Sequence, residues 1–347
     1  MGSSDKTGAD ASANASASPE FLAAFRARAG EGGALSFADF MALALYDPGV
    51  GYYRQARARV GYGGGTDFFT ASTSGPIFGE LLAAACAKLV RDAGADPRDY
   101  TWVEVGSETE GGVLAGVEHP FAGVRTLRVG APLALAGRCV VFSNELFDAQ
   151  PFRRLVFRGG VWRELGVALR EGQLREVEVG AAETTVSATG GLELLALPSN
   201  LPEGYIIDAP LAAATLADAL AAQPWTGLFV ACDYGKTWRE LIEATPAGTS
   251  RAYFRHTQSN DLLARPGEQD LTCHICWDWL EAALARRGFA VGRVESQEAF
   301  FVKNAGEFVA ATSAAEAARF SQRKLALMQL LHPAHLGQKF QVLRAWR

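Results

Sequence analysis

Three short apolar runs, each ending in a small or polar residue, most strongly restrict the folds open to this chain of 347 residues. They are TWVEVG (101–106), RCVVFSNE (138–145) and GLFVACDYG (227–235). Runs of this kind are typical of parallel strands covered on both faces. Ligands of such sheets bind beyond the carboxyl ends of the strands. We therefore expect Gly106, Asn144, Glu145 and Asp233 to lie around one crevice.

The remaining pattern predicts one elaborated α/β domain. Apolar residues at helical spacing predict a helix after a Ser36 cap and a second helix over about 76–92. Residues 151–205 alternate apolar and polar side chains, which predicts an antiparallel insertion. A helix from Trp277, a strand FAVGRVE, a helix near 312–331 and a terminal strand FQVLRAW complete the pattern.

These elements suggest a simple division of the chain. Residues 1–19 are Ser/Ala-rich and polar, so we expect a disordered tail. Residues 20–347 are expected to form a single domain. Its expected parts are the N-terminal helices with a glycine-rich, aromatic lid loop (20–100), the core (101–150 and 206–347) and the antiparallel insertion (151–205).

Composition excludes several classes of protein. The net charge of −5 disfavours a non-specific nucleic-acid binder, because such binding depends on a surplus of Lys and Arg. No apolar run approaches the roughly 20 residues needed to span a bilayer. An odd count of five cysteines, with no secretory signal, predicts reduced thiols in a cytoplasmic protein. The single CxxC, Cys273–Cys276, lacks a second pair, so no metal site is expected.

Several motifs, in order along the chain, resemble the MidA family of class I S-adenosylmethionine-dependent methyltransferases, which is linked to assembly of respiratory complex I. They are FMALALYDPGVGYY (40–53), TDFFTASTSGPIFGELL (66–82), NELFDAQPFRRL (144–155), WRELGV (162–167), CDYG (232–235), RAYFRHTQSNDLLARPGEQDLTCHI (251–275) and HPAHLGQKFQVL (332–343). The resemblance implies a Rossmann-like methyltransferase core with added helices and antiparallel hairpins. It also implies methyl transfer from S-adenosyl-L-methionine to a protein partner, with arginine as the acceptor type.

The resemblance assigns roles to particular residues. Carboxylates pair bidentately with a guanidinium, so Glu145 and Asp148 are candidates to hold an acceptor arginine, with Asn144 orienting substrate or cofactor. His256 lies in a matched stretch and is a candidate proton acceptor. An acidic pair after a strand is also common as a helix cap, and a lone histidine is often structural. The candidate cofactor-binding residues are Glu104, Gly106, Gly112, Asp67, Thr70, Asn144 and Asp233.

The cofactor loop departs from the family pattern. Glu108 and Glu110 stand where glycines are usual, and glycine is used there because its backbone adopts positive φ close to the ligand. An insertion of two residues leaves Gly106 and Gly112 in their roles. These glutamates either point to solvent or face the positive charge of the sulfonium.

The second strand also departs from the pattern. Class I methyltransferases usually carry an acid at its end for the ribose hydroxyls, yet no Asp or Glu lies between Glu118 and Glu145. Two crossovers of a dozen or more residues do not fit between Leu114 and Cys139. We therefore expect one strand there, VRTLRVG, in a shortened segment.

Two hypotheses follow. The first is a working methyltransferase with an altered donor pocket. The second is a catalytically inactive methyltransferase fold that binds a partner protein. A nicotinamide-dependent dehydrogenase is a distant third, because no GxGxxG follows a strand.

Overall fold

A computed structural model describes residues 17–57, 59, 61, 66–67, 74–109, 111–181, 185–186, 195–318 and 321–347. The α-helices are α1 (Pro19–Ala29), α2 (Phe37–Tyr46), α3 (Pro76–Asp92), α4 (Leu211–Ala221), α5 (Trp238–Glu243), α6 (Trp277–Arg286), α7 (Gln297–Asn304), α8 (Gly306–Ala315) and α9 (Gln322–Leu331). The strands are β1 (Ala34–Ser36), β2 (Thr101–Val105), β3 (Gly123–Leu127), β4 (Gly137–Asn144), β5 (Arg153–Arg158), β6 (Val161–Arg170), β7 (Gln173–Ala181), β8 (Thr185–Val186), β9 (Leu195–Ala196), β10 (Ile206–Ala209), β11 (Trp225–Asp233), β12 (Gly235–Lys236), β13 (Arg251–Phe254), β14 (Thr257–Ser259), β15 (Asp270–Thr272), β16 (Ile275–Cys276), β17 (Ala290–Val291), β18 (Glu295–Ser296) and β19 (Gln341–Trp346).

The main sheet has the strand order β17-β19-β11-β4-β2-β3, and β18 also pairs with β19. Strands β11, β4, β2 and β3 run parallel, whereas β19 is antiparallel to both β11 and β17. The three predicted parallel strands are therefore confirmed, and their carboxyl ends meet at one edge of the sheet.

Helices cover both faces of this sheet, which is why the central positions of β4 and β11 are apolar. Val140 and Val230 pack among residues of α3, α7 and α9 on one face. Val141 and Phe229 pack among residues of α4 and α6 on the other. Successive side chains of a strand point to opposite faces, so every position of β4 and β11 in the core needs an apolar side chain. Each fully buried Val or Phe contributes roughly 1.5–3 kcal/mol.

Helix α3 lies close against the loop that follows β2. A Cβ on Gly79 would lie 2.0 Å from the carbonyl oxygen of Val113, so only glycine permits this approach. The close contact fixes the position of the 106–113 loop, which forms one wall of the cavity described below.

A second, antiparallel sheet accounts for the alternating insertion. Its path is β1-β6-β5-β10, and β7 pairs with β6. The antiparallel pairing of β5, β6 and β7 agrees with the expectation for 151–205, but β1 and β10 come from outside that range. Phe37 of α2 stacks on Phe152, which joins the N-terminal helices to this part of the molecule.

Two predicted boundaries are wrong. Helix α1 begins at Pro19 and is capped by Ser18, so helix starts inside the range expected for the tail; residues 1–16 lie outside the described part of the chain. The single helix expected near 312–331 is two helices. The hydroxyl of Ser321 accepts the backbone N–H of Lys324 and so begins α9 as a separate helix.

The segment between β2 and β4 contains one strand, β3, as expected. The connection over 128–136 contains no helix, although parallel strands are usually joined by a longer crossover.

Candidate functional site

A cavity of about 1020 Å³ lies beyond the carboxyl ends of the parallel strands. Gly106 follows β2, Val129 follows β3, Asn144 ends β4 and Tyr234 follows β11, and all four line it. The volume is at the upper end of that of small-molecule sites, so the cavity is large enough for a cofactor and part of a second substrate. Asp233 is fully buried behind the wall.

The loop after β2 is held by a buried carboxylate at the end of that strand. Glu104 Oε2 accepts the backbone N–H of Val113 at 2.7 Å, and burial raises the pKa of Glu104. Gly106 has a φ of 83°, and a Cβ there would lie 2.7 Å from the Leu146 side chain. Gly112 has a φ of 63°, and a Cβ there would lie 2.1 Å from Glu104 Oε2. Both glycines are therefore required by the turn itself.

Glu108 lines the cavity, where its carboxylate is paired with an arginine. Its Oε2 lies 3.0 Å from Nη1 of Arg59, whose side chain is 7% exposed. The same guanidinium donates to the carbonyl oxygens of Tyr52 (3.0 Å) and Gln55 (2.7 Å). The charge of Glu108 is thus paired with the N-terminal segment that covers this loop. Glu110 lies outside the described residues.

The end of β3 carries no acid. Arg128 and Val129 follow the strand, and Val129 lines the cavity. Arg54 donates from Nη1 to the carbonyl oxygen of Val129 at 3.0 Å. Val129 therefore lines the cavity after β3, where the family pattern usually has an acid.

The end of β4 places Asn144 and Glu145 in the wall of the cavity. Glu145 has a φ of 48°, a left-handed conformation that is uncommon for residues other than glycine and clusters at functional sites. Nδ2 of Asn144 donates to Glu145 Oε1 at 2.9 Å, while Oδ1 of Asn144 is buried with no hydrogen-bond partner among the described residues. Burial, and then the charge of Asp148, raises the pKa of Glu145.

Asp148 is a buried acid with one oxygen unused. Its Oδ2 accepts the hydroxyl of Tyr234, and its Oδ1 is buried with no partner in the described part of the chain. Burial raises the pKa of Asp148. Asp233 supports this arrangement from behind, because its oxygens accept the backbone N–H groups of Phe147 (3.0 Å) and Tyr234 (2.9 Å). Asp233 was expected to bind cofactor, but both its oxygens are engaged by the backbone.

A third acid, Asp270 on β15, lines the same cavity. Its Oδ1 accepts the hydroxyl of Tyr53 at 2.9 Å, and Tyr53 stacks on Tyr46 with ring centroids 5.6 Å apart. Burial, followed by the charge of Asp148, raises the pKa of Asp270 to about 8, although the Tyr53 hydrogen bond opposes this shift. The motif around Asp270 was visible in the sequence, but its pairing with Tyr53 was not.

His274 borders the cavity beside these acids. Burial lowers the pKa of His274 to about 4, so its ring is neutral near pH 7. The ring lies edge-on to Tyr234, with centroids 5.6 Å apart. His274 therefore adds no positive charge to balance the acids.

Two other candidates, Asp67 and His256, do not line the cavity. Both oxygens of Asp67 are engaged by the chain itself, through the Tyr52 hydroxyl (2.7 Å), Arg57 (2.7 Å) and the backbone N–H of Arg255 (3.0 Å). His256, the candidate proton acceptor, is exposed at the β13–β14 turn, where its φ of 63° and its contact with Thr66 hold it. Thr70 lies outside the described residues.

The described ranges contain no helix with the length and apolar character of a membrane span. Nor does a group of three or more His, Cys, Asp or Glu residues arranged for a metal ion occur within them. All five cysteines are buried thiols.

The parallel sheet, the glycine turn after β2 and the cavity at the strand ends define a methyltransferase-like α/β fold with added antiparallel sheets. The model of a family described as "Putative S-adenosyl-L-methionine-dependent methyltransferase" matches residues 127–294 of this chain. This match agrees with the resemblance of the sequence motifs to the MidA family.

Known proteins similar to this chain agree with the match. The chain is 24% identical to the protein arginine methyltransferase NDUFAF7, mitochondrial, of Danio rerio, over 89% of this chain and 82% of that protein. A COG1565 superfamily member from Burkholderia thailandensis, solved bound to S-adenosyl-homocysteine, superposes with a TM-score of 0.79 at 24% identity, covering 94% of this chain and 92% of that one. A native structure of a COG1565 protein from the same organism gives 0.74 at 23% identity, covering 94% and 91%. At these identities the structures establish the fold.

Proposed function

We propose that this chain transfers a methyl group from S-adenosyl-L-methionine to an arginine side chain of a partner protein. The observation that carries the proposal is the set of three acids, Glu145, Asp148 and Asp270, around one cavity. No ion pair in the described part of the chain joins any of them to a Lys or Arg. Carboxylates buried together without a cation are costly, and a guanidinium both balances their charge and matches their geometry.

The donor side of the cavity fits the cofactor in part. Glu104, Gly106, Gly112 and Asn144 would hold S-adenosyl-L-methionine, since they provide an acid, a tight turn and an unused amide oxygen. When bound, the cofactor supplies an electrophilic methyl group. The related structure solved with S-adenosyl-homocysteine and the relative described as an arginine methyltransferase support the choice of donor and acceptor.

Calorimetry with S-adenosyl-homocysteine tests the donor site. Saturable heat at micromolar to sub-millimolar ligand is expected. No heat at millimolar ligand would contradict the proposal and favour the alternative, a catalytically inactive fold that binds a partner protein. The absence of an acid after β3 is the observation that favours this alternative.

A transfer assay tests the acceptor. With methyl-labelled donor, peptides containing arginine are expected to gain label and matched peptides containing lysine are not, because only the guanidinium spans two carboxylates. Asp148→Asn is expected to reduce transfer at least 100-fold. Asp92→Asn serves as the control, since Asp92 lies at the end of α3 and forms an exposed ion pair with Lys88. Label on lysine but not arginine would contradict the choice of acceptor.

A further inference from the structure

Two buried acids of the cavity are each held by a tyrosine. Tyr53, after α2, donates to Asp270, and Tyr234, after β11, donates to Asp148. The two acids approach one another because β15 is tied to the chain after β4: the backbone N–H of Cys273 donates to the carbonyl oxygen of Asp148 at 2.9 Å. Asp148 is 3% exposed and Asp270 is 4% exposed.

The surroundings of Asp270 contain acids and phenols. The titratable groups that interact with it are Tyr46, Tyr52 and Tyr53 from α2 and the turn after it, Glu108 from the β2 loop, Glu145 and Asp148 after β4, and Tyr253 on β13. Four cations lie nearby: Arg59 is over the Tyr53 ring, Arg251 on β13 acts on Tyr253, and Lys236 and Lys339 line the same cavity. Arg59 is paired with Glu108, and no ion pair in the described part of the chain joins any of the four to Asp270, Asp148 or Glu145. Neighbouring buried carboxylates cannot all ionise without a paired cation, so at least one of them holds a proton.

We propose that Asp270 is the proton-exchanging residue of the acceptor site, protonated in the free protein and ionised when a guanidinium binds between Asp148 and Asp270. This rests on the proposed arginine acceptor. Asp148 keeps its unpartnered Oδ1 for the guanidinium, whereas Asp270 must first release its proton to solvent. Burial places the pKa of Asp270 at about 8, which agrees with a proton held at pH 7.

The same residue completes the transfer step. A guanidinium nitrogen forms a bond to the methyl carbon while the carbon–sulfur bond breaks, and its electron pair stays on sulfur. The nitrogen then carries one proton too many, and this proton passes to the Asp270 carboxylate. The products are a methylated guanidinium, neutral S-adenosyl-homocysteine and protonated Asp270. The next guanidinium to bind displaces that proton again. Tyr53 is a positioning residue, because it reaches the acceptor only through Asp270.

Proton release on binding is the measurement that tests this. The probe is Nα-acetyl-arginine amide, titrated into the full-length protein at pH 7.0 by calorimetry in phosphate and in Tris. Because these buffers differ in ionisation enthalpy, the difference in observed heat gives the protons released. We expect close to one proton per probe bound, and close to none with Asp270→Asn. Asp92→Asn should match the wild type, since Asp92 lies on α3 outside the cavity wall.

A second variant tests the same role if Asp270→Asn does not fold. Tyr53→Phe removes the hydrogen bond that favours the ionised acid, so the pKa of Asp270 rises and proton release should persist to higher pH than in the wild type. A merely structural role for Tyr53 would change affinity without moving this pH dependence.

The outcomes separate this inference from the proposed function. No binding of the probe at millimolar concentration, binding without proton release, or unchanged release in Asp270→Asn would each overturn the role of Asp270. None of these measurements uses the cofactor. Failure of S-adenosyl-homocysteine to bind would overturn the methyltransferase proposal while leaving the proton measurement intact.

Discussion

At the scale of single residues, Glu108 stands at a position where the family pattern has glycine, and it forms an ion pair with Arg59. The Arg59 guanidinium that it neutralises is almost fully buried and lies over the rings of Tyr52 and Tyr53, at 5.3 and 5.5 Å from their centroids. A buried guanidinium without an anion is costly, so the glutamate stabilises the segment that covers the β2 loop. The departure from the family pattern therefore has a structural reason.

Glu108→Gly is expected to destabilise the protein by about 1–3 kcal/mol, because it leaves Arg59 unpaired. It should not tighten binding of S-adenosyl-homocysteine. Urea unfolding and calorimetry measure the two effects. Glu243→Gln is the matched control, since Glu243 forms an exposed pair with Arg239 and should change stability by less than about 1 kcal/mol. Tighter binding with unchanged stability would mean that Glu108 obstructs the donor pocket.

At the scale of elements, one arginine joins several strands of the antiparallel sheet. Arg154 on β5 contacts Asp208 on β10 at 2.6 Å, Glu176 on β7 at 2.9 Å and the Ser250 hydroxyl at 2.8 Å. Asp208 also accepts the backbone N–H groups of Thr249 and Ser250. The network fixes the segment that leads into β13, the strand that pairs with β15.

Arg154→Met is expected to cost about 3–5 kcal/mol, because it leaves Asp208 buried without its cation. Arg158→Met on the same strand breaks only the exposed pair with Glu178 and should cost less than about 1 kcal/mol. Chemical denaturation of both variants measures the difference. Equal losses for the two substitutions would argue against a special contribution of the Asp208 network.

The elements that could be predicted from the sequence are those whose pattern lies in consecutive residues. Strands β2, β4 and β11 are predominantly apolar and were found, as were α2 with its Ser36 cap and α3 beginning at Pro76. The break between α8 and α9 was missed because apolar spacing continues across it and the start of α9 depends on one serine. The site was only partly predictable: Tyr53 and Asp270 are 217 residues apart, and their contact is a product of tertiary folding.

At the scale of the whole molecule, buried acids couple folding to pH. An acid whose pKa is raised by folding is protonated in the folded state at pH values where the unfolded chain has already lost its proton. Its contribution to stability is fully present below about pH 4 and is lost as the pH rises through the folded pKa. For Asp270 that value is about 8. His274 acts in the opposite sense, but only between its folded pKa of about 4 and about 6.5.

Between pH 6.5 and 8, His274 no longer changes the pH dependence of stability, so the buried acids determine it. The free protein should therefore lose stability as the pH rises through this range. One proton contributes at most about 1.4 kcal/mol per pH unit. Urea unfolding at pH 6.5, 7.25 and 8.0 measures the slope, and Asp270→Asn should flatten it. A wild-type stability that is constant or increasing over this range would show that Asp270 is ionised throughout.

The phenol of Tyr53 that meets Asp270 belongs to the N-terminal segment rather than to the parallel sheet. A shortened version of this protein, trimmed to its sheet and flanking helices, would thus keep the loop after β2 yet lose one wall of the cavity. Because Tyr53 and Asp270 join residues 37–54 to residues 251–274, an exchange of either range between related proteins should include the other.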